Sequence, residues 1–165
     1  MSTSASPVTK DEVELYCSFR IAGNLYGVNI KYVKEINQEL NISKVPHAPS
    51  SIYGLVNIRG EVYLIFDLRN CFGFPPGSIG EKHRIILFKS VETELAGILV
   101  EEMGDAIRVS TSRIETYNSN TSSVDSLKRL KNPVIEDIDS KLVKGVYQLE
   151  EEIMVILNVD ALLKA

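Results

Sequence analysis

Residues 54–72 read GLVNIRGEVYLIFDLRNCF, and this stretch predicts a β-hairpin. The first strand is Leu55–Ile58, the return strand is Glu61–Leu68, and Arg59-Gly60 forms the tight turn between them. We expect Gly60 to adopt a positive φ, because glycine has no Cβ to oppose that conformation. Two strands and a turn in so few residues are typical of a small β-rich fold.

The same pattern recurs near the end of the chain. Gly54–Phe72 aligns without gaps onto Gly145–Leu163, which reads GVYQLEEEIMVILNVDALL, at a constant offset of 91 positions. Three positions are identical, and almost every apolar position meets another apolar one. Upstream, residues 19–30 echo residues 88–100 with one residue inserted. The chain therefore predicts two copies of one β unit, although two unrelated amphipathic hairpins would align comparably.

Short apolar runs predict the other strands. They are Val13–Ile21, Leu25–Ile30, Arg84–Lys89, Leu95–Val100, Ile107–Val109, Val143–Leu149 and Ile153–Leu157. In the first of these, alternation predicts that Val13, Leu15, Cys17, Phe19 and Ile21 face inward. Many short strands with Gly and Pro turns and few helices favour a mainly β protein of two compact barrels that share a hydrophobic interface.

Helical signals are few. Ile30, Val33 and Ile36 are spaced three apart, which predicts a short helical turn with Lys34 and Glu35 facing outward. Further helical pieces are expected around Val124–Leu130, ended by Pro133, and at Val159–Lys164. Phe72–Gly80 is predicted to be a loop, and Ser110–Ser140 is the least regular and most polar stretch.

Composition excludes several functions. The 165 residues carry a formal net charge of −4 and a sequence pI near 5.3. Nucleic acids and anionic membranes require a concentrated positive field, so neither is expected as a partner. The longest apolar runs are about five residues, too short for membrane insertion. We expect a cytoplasmic protein with a flexible Ser/Thr-rich tail at residues 1–12 and a single domain at residues 13–165.

Catalytic, cofactor and metal sites are not predicted. Cys17 and Cys71 form no CxxC pair, so neither zinc binding nor a disulfide framework is indicated. His47 and His83 are interpreted as solvent-exposed loop residues, because no nucleophile, base or carboxylate accompanies either in a known pattern. Two alternatives stay open: a hydrolase, which requires a pocket joining a histidine to a carboxylate or cysteine, and an oligonucleotide-binding barrel, which requires aromatic side chains interleaved with cations.

Arg59 departs from the repeat. The second copy has Gln148-Leu149-Glu150-Glu151 where the first has Asn57-Ile58-Arg59-Gly60, so the repeated structure does not require an arginine there. The planar guanidinium suits a carboxylate, and Glu35 is a candidate partner in the same copy. We interpret Arg59 as an interaction residue; the alternative is a solvated turn residue in no lasting pair.

Several motifs together resemble the CheW family of chemotaxis coupling proteins, over about residues 13–165. In chain order they are Val33-Lys34-Glu35-Ile36, Val45-Pro46, Gly54–Gly60, Ile65-Phe66-Asp67-Leu68, Gly97–Val100, Lys144-Gly145-Val146 and Ile156-Leu157-Asn158. The Asn-x-Arg-Gly hairpin is the most specific of them. This chain differs from the family in lacking a proline before Asp67, in having Glu101 where aspartate is frequent, and in its long polar stretch.

The resemblance implies a fold of two SH3-like five-stranded β-barrels and no catalytic activity. It implies an adaptor that couples the cytoplasmic tip of a chemoreceptor to the regulatory domain of the histidine kinase CheA, itself a CheW-like fold, at membrane receptor arrays. The partner-binding residues that it implies are Val33, Glu35, Ile36, Asn57, Arg59, Gly60, Leu99 and Val100. Weak assembly with homologous barrels is also expected. The alternative is a CheW-like scaffold of another histidine-kinase pathway, such as surface motility or development.

Overall fold

The computed structural model describes residues 12–90, 94–116 and 140–163. Its strands are β1 Val13–Ile21, β2 Asn24–Asn29, β3 Val33–Asn37, β4 Ile52–Ile58, β5 Glu61–Asp67, β6 Arg84–Phe88, β7 Ala96–Val100, β8 Glu102–Ser110, β9 Glu115–Thr116, β10 Val143–Gln148 and β11 Ile153–Leu157. Two short α-helices, α1 Leu68–Cys71 and α2 Val159–Leu163, follow β5 and β11. Three 3-10 turns cover Ile30–Tyr32, Thr111–Arg113 and Ser140–Leu142. None of these helices is long or apolar enough to cross a membrane.

The strands form two sheets of the same plan. One has six strands in the order β9-β10-β11-β2-β1-β8, and the other has five in the order β4-β5-β7-β6-β3. In the five-stranded sheet an isolated bridge between Ser43 and Leu55 stands where the other sheet has β9. The chain enters the five-stranded sheet after β2 and returns to the six-stranded sheet after β7, at Glu101. Each sheet is therefore assembled from two separate parts of the sequence.

Strand register confirms the predicted repeat. In the first hairpin Leu55 pairs with Leu64, and in the second Val146 pairs with Val155, so both partners shift by the same 91 positions. Each hairpin also has an irregularity at its first strand, just before Gly54 and Gly145 respectively. The helices α1 and α2 follow at the same offset.

The two matching glycines have a shared steric cause. A Cβ on Gly54 would lie 2.4 Å from the carbonyl oxygen of Ser43, and a Cβ on Gly145 would lie 2.4 Å from that of Glu115. Both distances are far inside van der Waals contact, and both neighbours are backbone atoms that cannot rotate away. Glycine is required at this position in each copy because another segment of chain crosses the hairpin there.

Three apolar clusters form the core of the protein. The smaller two are the cores of the individual barrels: Val56, Ile58, Tyr63, Ile65, Ile85 and Leu87 in the five-stranded barrel, and Tyr16, Leu25, Val109, Met154 and Ile156 in the six-stranded barrel. The largest cluster takes the opposite faces of the same strands and contains Phe19, Tyr26, Phe66, Phe72, Phe88 and Ile98 among others. Since it draws on both sheets, it is the hydrophobic interface that the sequence predicted between the barrels.

Strand β1 differs from the expected half-buried strand. Cys17, Phe19 and Ile21 are buried as predicted, but Tyr16 on the opposite face is buried as well. The reason is the double role of the sheet, whose one face lines its own barrel and whose other face meets the second barrel. Val13 and Leu15 were expected to face inward and are instead exposed.

Other element predictions were partly wrong. The helical turn proposed over Ile30–Ile36 is a 3-10 turn at Ile30–Tyr32 followed by strand β3, which is paired with β6. Apolar spacing of three over so few residues does not separate a helix from a turn that enters a strand. Helix α1 was not predicted. The pieces expected around Val124–Leu130 and at Pro133 lie outside the described residues.

Candidate partner-binding site

The turn between β4 and β5 combines exposure with an unfavourable backbone. Arg59 has φ 52° and Gly60 has φ 84°, so both central residues are left-handed. The positive φ of Gly60 was predicted, whereas that of Arg59 was not. Asn57 Oδ1 accepts a hydrogen bond from the Gly60 amide at 3.0 Å, which fixes the turn. Such turns favour Asn, Asp or Gly at the first central position, and another residue there costs on the order of 1 kcal/mol.

Glu35 receives the Arg59 guanidinium, as the sequence predicted. Arg59 Nη2 donates to Glu35 Oε1, and the Asn37 amide donates to Glu35 Oε2 at 3.0 Å. The hydrogen bond from Asn37, followed by that from Arg59, holds the pKa of Glu35 below its ordinary value. The Arg59 side chain is 66% exposed although paired, so its remaining N–H groups face solvent.

The pair also joins the two edges of its sheet. Strand β3, which carries Glu35, and strand β4, which ends at Ile58 just before Arg59, are the outer strands of the five-stranded sheet. Beside them Lys34 Nζ lies 2.7 Å from the Tyr63 hydroxyl and 3.3 Å from Glu61 Oε1. The Arg59–Glu35 pair links the β4–β5 turn to β3, and the Lys34 contacts link β3 to β5, so the charged turn lies on the rim of this barrel.

We call Glu35, Ile36, Asn57, Arg59 and Gly60 the hairpin-tip surface. Ile36 is 46% exposed on β3, so it is not core. Exposed Val62, which lies across the hairpin from Asn57, extends this surface. Val33 is half-buried and packs against the shared interface, so its side chain is not part of the exposed surface.

Leu99 and Val100 have different environments. Val100 has 0% of its surface exposed and lies in the shared interface, so its side chain has no surface to offer a partner, and we omit it from the proposed site. Leu99 points the other way on β7 and is half-buried. It lines a pocket where the barrels meet. Alternation along a strand separates the two neighbours, which a sequence motif treats alike.

This junction pocket has a volume of about 170 Å³. Apolar groups of Ile21, Tyr53, Ile79 and Leu99 contribute to its wall, and charged groups stand around them. The charged and histidine residues that line it are Lys44, Asp67, Arg69, His83 and Glu101. Lys44 Nζ sits 3.6 Å from the centroid of the Tyr53 ring. Such a mixed lining accommodates one bulky apolar side chain beside polar neighbours.

His83 is half-buried in this pocket, not solvent-exposed as predicted. Its Nδ1 accepts a hydrogen bond from the Gly80 amide at 2.9 Å. Asp67 and Glu101 share the pocket, but neither is hydrogen-bonded to His83 within the described residues, and Asp67 instead caps helix α1. His47 is exposed in a turn. Across residues 12–90, 94–116 and 140–163 no three His, Cys, Asp or Glu side chains are grouped to hold a metal.

A third surface was missed from the sequence. Val13, Leu15 and Ile30 are 52%, 42% and 45% exposed. Tyr16 pairs with Asn29, so the residues beyond them, Leu15 and Ile30, lie at the same end of the β1–β2 hairpin. We call these three residues the apolar patch. The internal repeat could have revealed this surface. In the alignment that matches Phe19 with Phe88, Val13 and Leu15 correspond to Lys82 and Arg84, so the repeated structure does not require apolar residues there.

A double barrel with a charged rim, a junction pocket and an apolar patch is a protein-binding module. The chain belongs to the CheW family, since the family described as CheW-like domain matches residues 15–130. The fold alone would not have identified the family, because small β-barrels serve many functions.

Comparison with known proteins gives the same family. The probable chemotaxis protein CheW of Rhizobium etli is 25% identical over 162 residues, which cover 98% of this chain and 94% of that protein. The chemotaxis protein CheW of Bacillus subtilis is 28% identical over 130 residues, covering 76% and 83%. The crystal structure of the scaffolding protein TtCheW from Thermoanaerobacter tengcongensis matches with a TM-score of 0.73 and 24% identity, over 89% of this chain and 90% of that one.

These matches confirm the expected family and the fold of two SH3-like barrels, of which one carries a sixth, two-residue strand. The chain is a chemotaxis adaptor of this family. The alternative of a motility or development pathway gains no support, because the relatives named above are chemotaxis proteins.

Proposed function

We propose that this chain is a non-enzymatic cytoplasmic adaptor whose two barrels bind different partners. The five-stranded barrel, with the hairpin-tip surface and the junction pocket, binds the cytoplasmic tip of a chemoreceptor. The six-stranded barrel, through the apolar patch, binds the regulatory domain of a CheA-type histidine kinase. The same proposal places the binding domain at residues 13–165, after a tail at residues 1–12. It also includes recruitment of the protein to receptor arrays at the membrane.

The conformation and exposure of Arg59 are the main support for the receptor-binding part of this proposal. A left-handed arginine destabilises the turn, and its exposed pair with Glu35 returns little stability. A residue kept at such a position is better explained by binding than by folding. Its free N–H groups suit a carboxylate on a partner, which would bind beside Glu35 or displace it.

The junction pocket supplies the apolar part of the receptor contact. Its volume of about 170 Å³ suits a single large side chain rather than a small-molecule ligand. An amphipathic helix inserts such side chains into a groove while its polar residues meet the rim. The receptor tip recognised by this family is helical, so it can insert an apolar side chain into the pocket.

The apolar patch suits a different kind of partner. Val13, Leu15 and Ile30 lie on strand β1 and at the end of β2, on an open sheet face rather than in a groove. Flat apolar patches with few charges are typical of the centre of protein–protein interfaces. The regulatory domain of CheA is a barrel of the same fold, and one barrel can present a matching sheet face.

The test is whether both partners bind at once. Full-length protein is titrated with the CheA regulatory domain of the same organism, and then with a receptor-tip fragment while the kinase domain is saturating. We expect a complex of one copy each, with each affinity changed less than threefold by the other partner. Competition between the two partners would contradict the assignment of separate barrels.

A further inference from the structure

We propose that Arg69 is a positioning residue that holds the junction pocket in shape for the receptor segment. This inference rests on the proposed function, since it assigns a role within the receptor half. It concerns the wall of the pocket and not a direct contact with the partner. Several separate parts of the chain form that wall, and Arg69, from its place on α1, is bonded to two of them: Glu101 and the loop that contains Pro75.

The first bond joins the barrels. Arg69 Nε donates to Glu101 Oε2, and Arg69 Nη2 lies 3.3 Å from Glu101 Oε1. Glu101 is the residue at which the chain crosses from β7 of the five-stranded sheet to β8 of the six-stranded sheet. Its Oε1 also accepts from the amide of Ala22 at 3.1 Å, in the turn of the β1–β2 hairpin. Arg69 therefore anchors a carboxylate that touches both barrels.

The second bond holds the loop that forms the outer wall. Arg69 Nη1 donates to the carbonyl oxygen of Pro75 at 2.6 Å. A Cβ on Gly77 would lie 3.0 Å from Arg69 Nε, so the loop backbone packs directly on the guanidinium. For Pro75–Ile79 this is the one hydrogen bond found within the described part of the chain. Without the Arg69 side chain this wall, which includes Pro76, Gly77 and Ile79, loses that hydrogen bond and is held only through its flanking residues, Gly80 and the buried Phe74.

Arg69 has little left to offer a partner. Its side chain is 26% exposed and Glu101 is 24% exposed, so the pair is half-buried. Nε, Nη1 and Nη2 are each engaged within the chain. A planar fork with fixed donors is the geometry that can bind a carboxylate and a carbonyl together, which a lysine cannot reproduce. The effect of Arg69 on the receptor is therefore exerted through the pocket.

The chain offers a matched control. Arg20 makes a second bidentate pair, with Glu152, at 3.0 and 2.7 Å and with 35% and 37% exposure. Neither residue lines the junction pocket. Substituting Arg20→Met thus removes a comparable ion pair from the six-stranded barrel and leaves the pocket wall bonded.

The experiment compares wild type, Arg69→Met, Arg69→Lys and Arg20→Met in the full-length protein. Backbone 15N relaxation at 77–82 is measured first, and titrations with the receptor-tip fragment and the CheA regulatory domain follow. We expect Arg69→Met to lower the order parameters of this loop by about 0.2 or more and to weaken receptor binding at least tenfold, with kinase-domain affinity within twofold of wild type. Arg69→Lys should fall between, and Arg20→Met should match wild type in both loop order parameters and receptor binding.

Two results would overturn the inference. Unchanged loop order parameters in Arg69→Met would show that the residue does not hold the wall, whatever the receptor does. Equal loss of receptor and kinase binding, or an equal effect of Arg20→Met, would make Arg69 a general stabilising residue. Failure of the wild type to bind the receptor fragment would instead refute the proposed function, and the relaxation measurement would still decide the role of Arg69.

Discussion

The two barrels share their register but differ in their turns. Leu55–Leu64 and Val146–Val155 are equivalent pairs, and Gly54 and Gly145 meet the same kind of backbone carbonyl. At the hairpin tips the five-stranded barrel has a left-handed Arg59, whereas Glu150 and Glu151 of the six-stranded barrel are not left-handed. Positions that match between the barrels thus maintain the fold, and positions that differ lie on the surfaces proposed to bind partners.

The apolar patch obeys the same rule. Val13 and Leu15 lie on β1, and the matching strand β6 begins with Arg84. Both strands contribute a phenylalanine, Phe19 or Phe88, to the shared interface. The first residues of β1 and β6 are free of that constraint, and of these two strands β1 alone exposes apolar side chains there.

The largest effect is expected where the barrels are most alike. Gly54→Ala and Gly145→Ala each place a Cβ 2.4 Å from a backbone oxygen, so both should destabilise the protein by about 3 kcal/mol or more. Urea denaturation of the two variants measures this. A loss under about 1 kcal/mol in either variant would break the equivalence of the two hairpins.

Substitution of a second pair of matching glycines should destabilise the two barrels by different amounts. Gly97 and Gly27 occupy matching positions, opposite Ile65 and Ile156 respectively. A Cβ on Gly97 would lie 2.6 Å from the backbone oxygen of Ile86, whereas one on Gly27 would meet the flexible thioether of Met154 at 2.6 Å.

Because methionine can repack, we expect Gly97→Ala to cost about 1–2 kcal/mol more than Gly27→Ala. Thermal and urea unfolding of the two variants give the comparison. A larger loss in Gly27→Ala would show that the core around Met154 cannot adjust.

A smaller effect is expected at the hairpin tip. Arg59→Asn supplies the residue that the turn prefers, so the free energy of unfolding should stay constant or rise by up to about 1 kcal/mol. Receptor affinity should fall at least tenfold in the same variant. Glu150→Asn in the other barrel is the control and should change neither quantity. A clear loss of stability in Arg59→Asn would make the pair with Glu35 structural.

The smallest effect is on the ionisation of Glu35. Hydrogen bonds from Asn37 and Arg59 depress its pKa in the folded chain below the ordinary 4.5. Their stabilisation is therefore complete above the unfolded-state pKa and is lost as the pH falls through the folded-state pKa.

Carbon-detected NMR of the Glu35 carboxyl should show a midpoint below 4.5. Asn37→Ala and Arg59→Gln should each raise this midpoint, because each removes a hydrogen bond to the carboxylate. A midpoint unchanged in both variants would show that neither residue binds Glu35 in solution.

Local pattern and repetition made much of the fold predictable. The strand pairs, the positive φ of Gly60 and the Glu35–Arg59 contact follow from turn chemistry, alternation and charge. The burial of Tyr16 and Val100 and the exposure of Leu15 do not, because they depend on where the second barrel ends. Likewise, the junction pocket brings Ile21, Tyr53 and Leu99 together from three separate strands, which no single-sequence spacing encodes.

The most direct test of two barrels with two partners is a pair of charge substitutions. Leu15→Asp and Arg59→Glu are each titrated calorimetrically against the CheA regulatory domain and the receptor-tip fragment, with folding checked by thermal melting. We expect Leu15→Asp to weaken kinase binding by about 1–3 kcal/mol and to spare the receptor, and Arg59→Glu to do the reverse without unfolding the protein. Loss of both partners in either folded variant, or of neither, would contradict the division of function between the barrels.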